Sequence, residues 1–130
     1  LFPMKKITFL AIFVLAFSVL AACGGTSTPT TPANYTVTMS GVTFNTSSLS
    51  IPKGSTITFT TEQGGTAHNL VNGSNGQPHS EGGVPDFGTG GQTVGAGQSW
   101  TTSPWNTAGT FHVTCTYHPT SMNLTVTVTS

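Results

Sequence analysis

The chain has 130 residues, of which 5% are charged and 35% hydrophobic, and its formal net charge is zero. That length allows one ordinary domain. So few cations leave no basic stripe for phosphates, which excludes nucleic acid as a partner, and the apolar content is too high for a disordered chain.

Met4, Lys5 and Lys6 form a positive segment ahead of an uncharged apolar run of 14 residues, Ile7 to Leu20. The run falls short of the roughly 20 residues that span a bilayer and fits the apolar region of a secretory signal. Leu20, Ala21, Ala22 and Cys23 follow. Small residues before a Cys resemble the lipobox of bacterial lipoproteins. That resemblance implies a signal peptide over residues 1–22, cleaved before Cys23, and a lipid on the Cys23 sulfur. An ordinary secretory signal with an incidental Cys is the alternative. Residues 23–34 then form a lipidated flexible tether, because Gly24 to Asn34 is mostly Gly, Ser, Thr and Pro without apolar periodicity. Such a tether reaches at most about 36 Å at roughly 3.3 Å per residue. The expected location is extracytoplasmic, anchored to a bacterial membrane through Cys23.

Beyond the signal, Lys53 stands against Glu62, Glu81 and Asp86, a net charge of −2. With Cys23 carrying lipid, Cys115 has no disulfide partner, a liability in an oxidising compartment unless something occupies the thiol.

From Tyr35 the pattern has period two. Tyr35, Val37 and Met39 alternate with Thr36 and Thr38, and Ile57 and Phe59 with Thr56, Thr58 and Thr60. Phe111, Val113 and Cys115 alternate with His112 and Thr114, and Leu124, Val126 and Val128 with Thr125, Thr127 and Thr129. One apolar face and one Thr face predict half-buried antiparallel strands. Turn formers at Pro52 to Gly54 and Thr107 to Gly109 punctuate them. We expect an all-β Greek-key sandwich of about seven or eight strands over residues 35–130. Asn72 to Gln98, dominated by Gly and turn formers, reads as one long loop. Met39 is expected in the core, and Trp100 and Trp105 in the core or at an edge.

The chemistry gathers near the C-terminus. Cys115 ends a strand and points inward with Phe111 and Val113. His118 follows after two intervening residues and Met122 after three more. His68 lies far upstream, just before Leu70 and Val71. Singly, a buried thiol, a loop His and a core Met are ordinary. Together, two imidazoles, a thiolate and a weak thioether match the trigonal set with a long axial bond that suits blue copper. A Cys–His nucleophile needs an exposed, activated thiolate, which an inward strand-end Cys does not offer. Zinc favours more thiolates or carboxylates, and a binuclear copper centre needs a second Cys in the loop. His79 and His112 are expected to face solvent.

From about Tyr35 to Thr129 the chain resembles the cupredoxins of the plastocyanin/azurin type, small blue copper electron carriers. The resemblance rests on His68-Asn69, on GTFHVTC (Gly109 to Cys115), on CTYHPTSM (Cys115 to Met122) and on SLSIPKGSTITF (Ser48 to Phe59). It implies one type 1 copper with His68, Cys115 and His118 as equatorial ligands and Met122 as axial ligand. It implies a hydrogen bond from Asn69 to the Cys loop near Thr116, His118 as the electron port, redox proteins as partners, a monomer, and no enzymatic activity. The three residues between His118 and Met122 lie between the family's shorter and longer spacings, so a backbone oxygen such as that of Ala67 is an alternative axial group. Thr114 stands where plant plastocyanins carry an aromatic residue, so their remote electron route is not expected. An extracytoplasmic copper store or delivery protein is the alternative function, and an adhesion or carbohydrate-binding sandwich a more distant one.

Overall fold

The computed structural model describes residues 30–130. The signal peptide, Cys23 and the tether up to residue 29 lie outside the described residues. Ten strands follow in order: β1 Asn34–Ser40, β2 Thr43–Phe44, β3 Ser48–Pro52, β4 Thr56–Thr61, β5 His68–Ser74, β6 Gln77–Pro78, β7 Gln92–Val94, β8 Ser99–Thr101, β9 Gly109–Cys115 and β10 Asn123–Thr129. The excess over the expected number comes from two-residue strands such as β2 and β6, too short to carry an alternation. One sheet orders β2-β1-β4-β8; the other orders β3-β10-β9-β5-β6, with β7 also on β5. Among the described residues no helix is long and apolar enough to cross a membrane.

The expected apolar strand faces hold. Val37, Met39, Ile57, Phe59, Val113, Cys115, Leu124 and Val126 are buried between the sheets, each contributing about 1.5–3 kcal/mol of apolar transfer. On the outside, hydroxyls bridge neighbouring strands, Thr58 to Thr101 at 2.7 Å and Thr60 to Ser99 at 2.9 Å. The expected antiparallel directions do not hold everywhere. β1 pairs with β4, and β3 with β10, in parallel. Period two reports which face is buried and carries no record of the neighbour's direction. The Pro52–Ser55 turn, with Gly54 at φ 88°, takes the chain from one sheet to the other instead of forming a hairpin.

The Asn72 to Gln98 stretch is also more structured than its composition suggests. Asn75 and Gly76 have φ 51° and 72°, the two left-handed centres of a type I′ hairpin turn joining β5 to β6. The rest of the stretch buries Phe87 against Phe59 (centroids 6.3 Å apart) and Trp100 (5.1 Å). Gly91, at φ 99°, passes so close to β5 that a Cβ there would lie 2.7 Å from Asn69 Nδ2 and from Val71 Cγ1.

Glu81 of this stretch ties β5 to β9. Its Oε2 accepts from Asn72 Nδ2 and from the His112 backbone N–H, both at 2.7 Å, and its Oε1 meets His112 Nδ1 at 2.7 Å. The β5–β9 ladder runs only from Asn72↔Val113 to Leu70↔Cys115, so at His112 the carboxylate takes the place of a strand acceptor. His112 does face outward as expected, but it is paired. Burial pushes the Glu81 pKa up, yet the bonds from His112 and Asn72 pull harder, and the group ends below its usual value. A depressed carboxylate stabilises the fold above its unfolded pKa of about 4.3 and loses that contribution as pH falls through the folded value. Glu81→Gln is therefore expected to cost about 1–2 kcal/mol at pH 7. In urea melts, the gap between variant and wild type should narrow as pH falls from the unfolded pKa of about 4.3 through the lower folded value; a gap that does not change with pH refutes the carboxylate's role.

Candidate metal centre

Three strand-end features meet at one end of the sandwich. His68 opens β5, Cys115 closes β9, and β5 and β9 run antiparallel with Leu70 opposite Cys115. The β9–β10 connection then returns over the same end. It is wound tightly: Cys115 N–H donates to Met122 O at 3.1 Å, His118 N–H to Cys115 O at 3.3 Å, and Met122 N–H to His118 O at 3.1 Å. This winding brings His118 back over Cys115.

Cys115 Sγ lies 3.9 Å from His68 Nδ1 and 3.7 Å from His118 Nδ1. One donor atom from each of the three residues falls within 4.8 Å of the others. An ion bound at about 2.1 Å to nitrogen and about 2.3 Å to sulfur, with donors 120° apart, separates N from S by about 3.8 Å. The observed spacings bracket that value, so both imidazole nitrogens stand at ligand spacing from the sulfur. The two imidazole rings are 5.2 Å apart at 60°, close without stacking.

The site is graded in exposure. His68, Cys115 and Met122 are fully buried, and His118 is partly exposed. Burial holds the His68 pKa below its usual value, with His118 adding to the effect and Glu62 opposing it. The ring is therefore neutral at neutral pH, with a lone pair free for a metal. His68 Nε2 is a buried side-chain nitrogen with no hydrogen-bond partner. Such an orphan costs about 1–3 kcal/mol. Cys115 is a free, buried thiol.

Asn69 bonds to the segment after Cys115 and to the loop at Gly90. Its Nδ2 donates to Thr116 Oγ1 at 3.0 Å and to Gly90 O at 2.9 Å, and its backbone carbonyl accepts from Thr116 N–H at 2.9 Å. The start of β5 and the loop after Cys115 are thus held together twice. His79 lies exposed on another loop and takes no part. Met122 is a buried core residue whose backbone anchors the loop, its carbonyl accepting from Cys115 N–H.

Sequence reasoning misplaced one neighbour of the site. Alternation puts Thr114 on the outer, solvated face, but Thr114 is fully buried. The β5–β6 turn covers it, Gly76 N–H donating to Thr114 Oγ1 at 2.9 Å. The Asn75-Gly76 dipeptide, a strong hairpin signal, was the one available hint.

A sequence profile described as copper binding proteins, plastocyanin/azurin family, matches residues 32–129. No curated protein sequence matches the chain. Among solved structures, amicyanin from Paracoccus versutus is similar with a TM-score of 0.57 at 22% identity, covering 74% of this chain and 81% of that one. A reduced Cu(I) form of an amicyanin variant at pH 4 gives 0.58 at 22% identity, covering 74% and 82%. At that identity the structural likeness speaks for the fold alone.

Proposed function

Because the chain belongs to the plastocyanin/azurin family of copper-binding proteins, we propose that it is a one-electron carrier in which His68, Cys115 and His118 would hold a type 1 copper, with Met122 as the fourth ligand. The observation that carries this reading is the convergence of His68 Nδ1, Cys115 Sγ and His118 Nδ1 on one point. Copper held by such donors supplies a one-electron Cu(I)/Cu(II) couple and an intense visible thiolate charge-transfer band.

The chain's own residues do the rest. The β5–β9 ladder and the Asn69 bonds fix two donor-bearing segments to each other, so the donor positions need not rearrange with charge. Burial of Cys115 keeps water and oxidants from the thiol. His118, partly exposed, offers the shortest way out for an electron. Around it Tyr117 and Pro119 are exposed and uncharged. Such a surface suits brief docking of a redox protein, whose interfaces sit at the small end of the range. Electron transfer without chemistry of its own is the role we assign, as a monomer. The reading includes a signal peptide over residues 1–22 and an extracytoplasmic lipid anchor at Cys23, supported by the sequence pattern around that residue.

The test is the visible and EPR spectrum of the purified protein titrated with Cu(II). One equivalent should give an intense visible band that a reductant bleaches and an oxidant restores. A colourless protein that takes up only Cu(I) would point to storage or delivery and overturn the carrier.

A further inference from the structure

Thr114 immediately precedes Cys115, and its side chain is fully buried. Its hydroxyl accepts from Gly76 N–H at 2.9 Å and donates to Met122 O at 3.0 Å. The same carbonyl accepts from Cys115 N–H at 3.1 Å. Asn123, opposite Thr114 in the β9–β10 register, makes a matching link. Its Oδ1 accepts from Asn75 N–H at 2.6 Å and its Nδ2 donates to Pro119 O at 2.8 Å. Gly76 also packs directly on Pro119: a Cβ there would come within 2.6 Å of Pro119 Cβ.

The Asn75–Gly76 turn therefore reaches the loop between Cys115 and Met122 at three places. It reaches the Met122 carbonyl through Thr114, the Pro119 carbonyl through Asn123, and the Pro119 ring by contact. The turn is continuous with β5, the strand that begins at His68. The loop carries His118 and Met122. The only side-chain hydroxyl bonded to both the turn and the loop backbone in this set is that of Thr114.

We infer that Thr114 is a positioning residue: its hydroxyl fastens the β5–β6 turn to the Met122 carbonyl and sets the ligand loop relative to the strand bearing His68. The inference rests on the copper reading of His68, Cys115, His118 and Met122. It adds a further tie between the two halves of the site, independent of the two Asn69–Thr116 bonds. A β-branched shape alone does not serve, because both the donor and the acceptor functions of the hydroxyl are used.

Thr114→Val keeps the volume and strand propensity and removes the hydroxyl; Thr114→Ser keeps the hydroxyl. Amide hydrogen exchange on the metal-free protein reads the loop directly. In Thr114→Val the Gly76 amide should exchange about tenfold faster, with faster exchange spreading over residues 118–122. In the copper-loaded protein the variant's visible band and reduction potential should both shift. Thr114→Ser should restore all of these. Wild-type exchange across 118–122 in Thr114→Val, or an unshifted band and potential, overturns the inference, as does a Ser variant no better than Val. If wild type itself shows no charge-transfer band, the copper reading fails instead, and the metal-free exchange still decides whether Thr114 holds the loop.

Discussion

Cys115→Ser is expected to abolish the visible band of the copper-loaded protein and to weaken copper retention by more than about 100-fold. The lower bound follows from supporting residues alone, whose loss costs about 10–100-fold; a direct donor should cost more. Serine places a harder oxygen where the Cys115 sulfur faces two imidazoles at 3.9 and 3.7 Å. The hydroxyl is also buried at a position with no exposed surface, so the metal-free variant should lose about 1–3 kcal/mol as well. Absorption during a Cu(II) titration and a urea melt of the metal-free protein measure the two effects separately. A variant that stays intensely coloured would remove Cys115 from the ligand set.

The largest effect on stability is expected at the other end of the sandwich. Among the described residues, Trp105 is the largest fully buried side chain. Its ring stands 5.8 Å from Phe111, and its Nε1–H donates to Thr102 Oγ1 at 3.1 Å. Its backbone N–H donates to Ser55 O at 2.8 Å and its carbonyl accepts from Gly54 N–H at 2.8 Å. It thereby plugs the end where the chain crosses between sheets. Trp105→Ala should cost about 3–5 kcal/mol, a large part of the roughly 5–15 kcal/mol that holds an ordinary domain together. At about 4–8 °C per kcal/mol the melting midpoint should fall by more than about 12 °C. Phe111 and Cys115 lie four strand residues apart, about 13 Å, so the folded variant should keep a wild-type visible spectrum. An unchanged melting midpoint would show that this end of the core is not needed.

The two variants divide the molecule into a half that was legible in the sequence and a half that was less so. Cys115 could be placed because strand alternation around Phe111 and Val113 sets its direction, and the turn to Leu124 is short enough to carry His118 and Met122 to the same end. His68 could be joined to them because sandwiches bring distant strands together. The neighbours of these residues were less legible, for a physical reason. Thr114 is buried by a turn 38 residues upstream, and nothing in the local period of β9 reports a cover laid on from elsewhere. The carboxylate of Glu81 reaches His112 across 31 residues from a stretch whose glycines make it read as unstructured. The parallel pairings of β1 with β4 and β3 with β10 escape alternation altogether, because parallel and antiparallel neighbours bury the same face.

The parallel pairing of β1 with β4 also gives the domain a direction. Asn34 lies opposite Thr56 and Met39 opposite Thr61, so β1 runs from the Trp105 end toward the end bearing the donors. Ala33 N–H donates to Ser55 Oγ at 3.1 Å, and Pro32 lies against Gly54. The polypeptide thus enters the sandwich at one pole and presents His118 at the other, about 23 Å away by the length of a seven-residue strand. Any attachment made on the N-terminal side of Pro32 holds the domain by its foot. Such an attachment and the donors therefore lie at opposite poles of the domain.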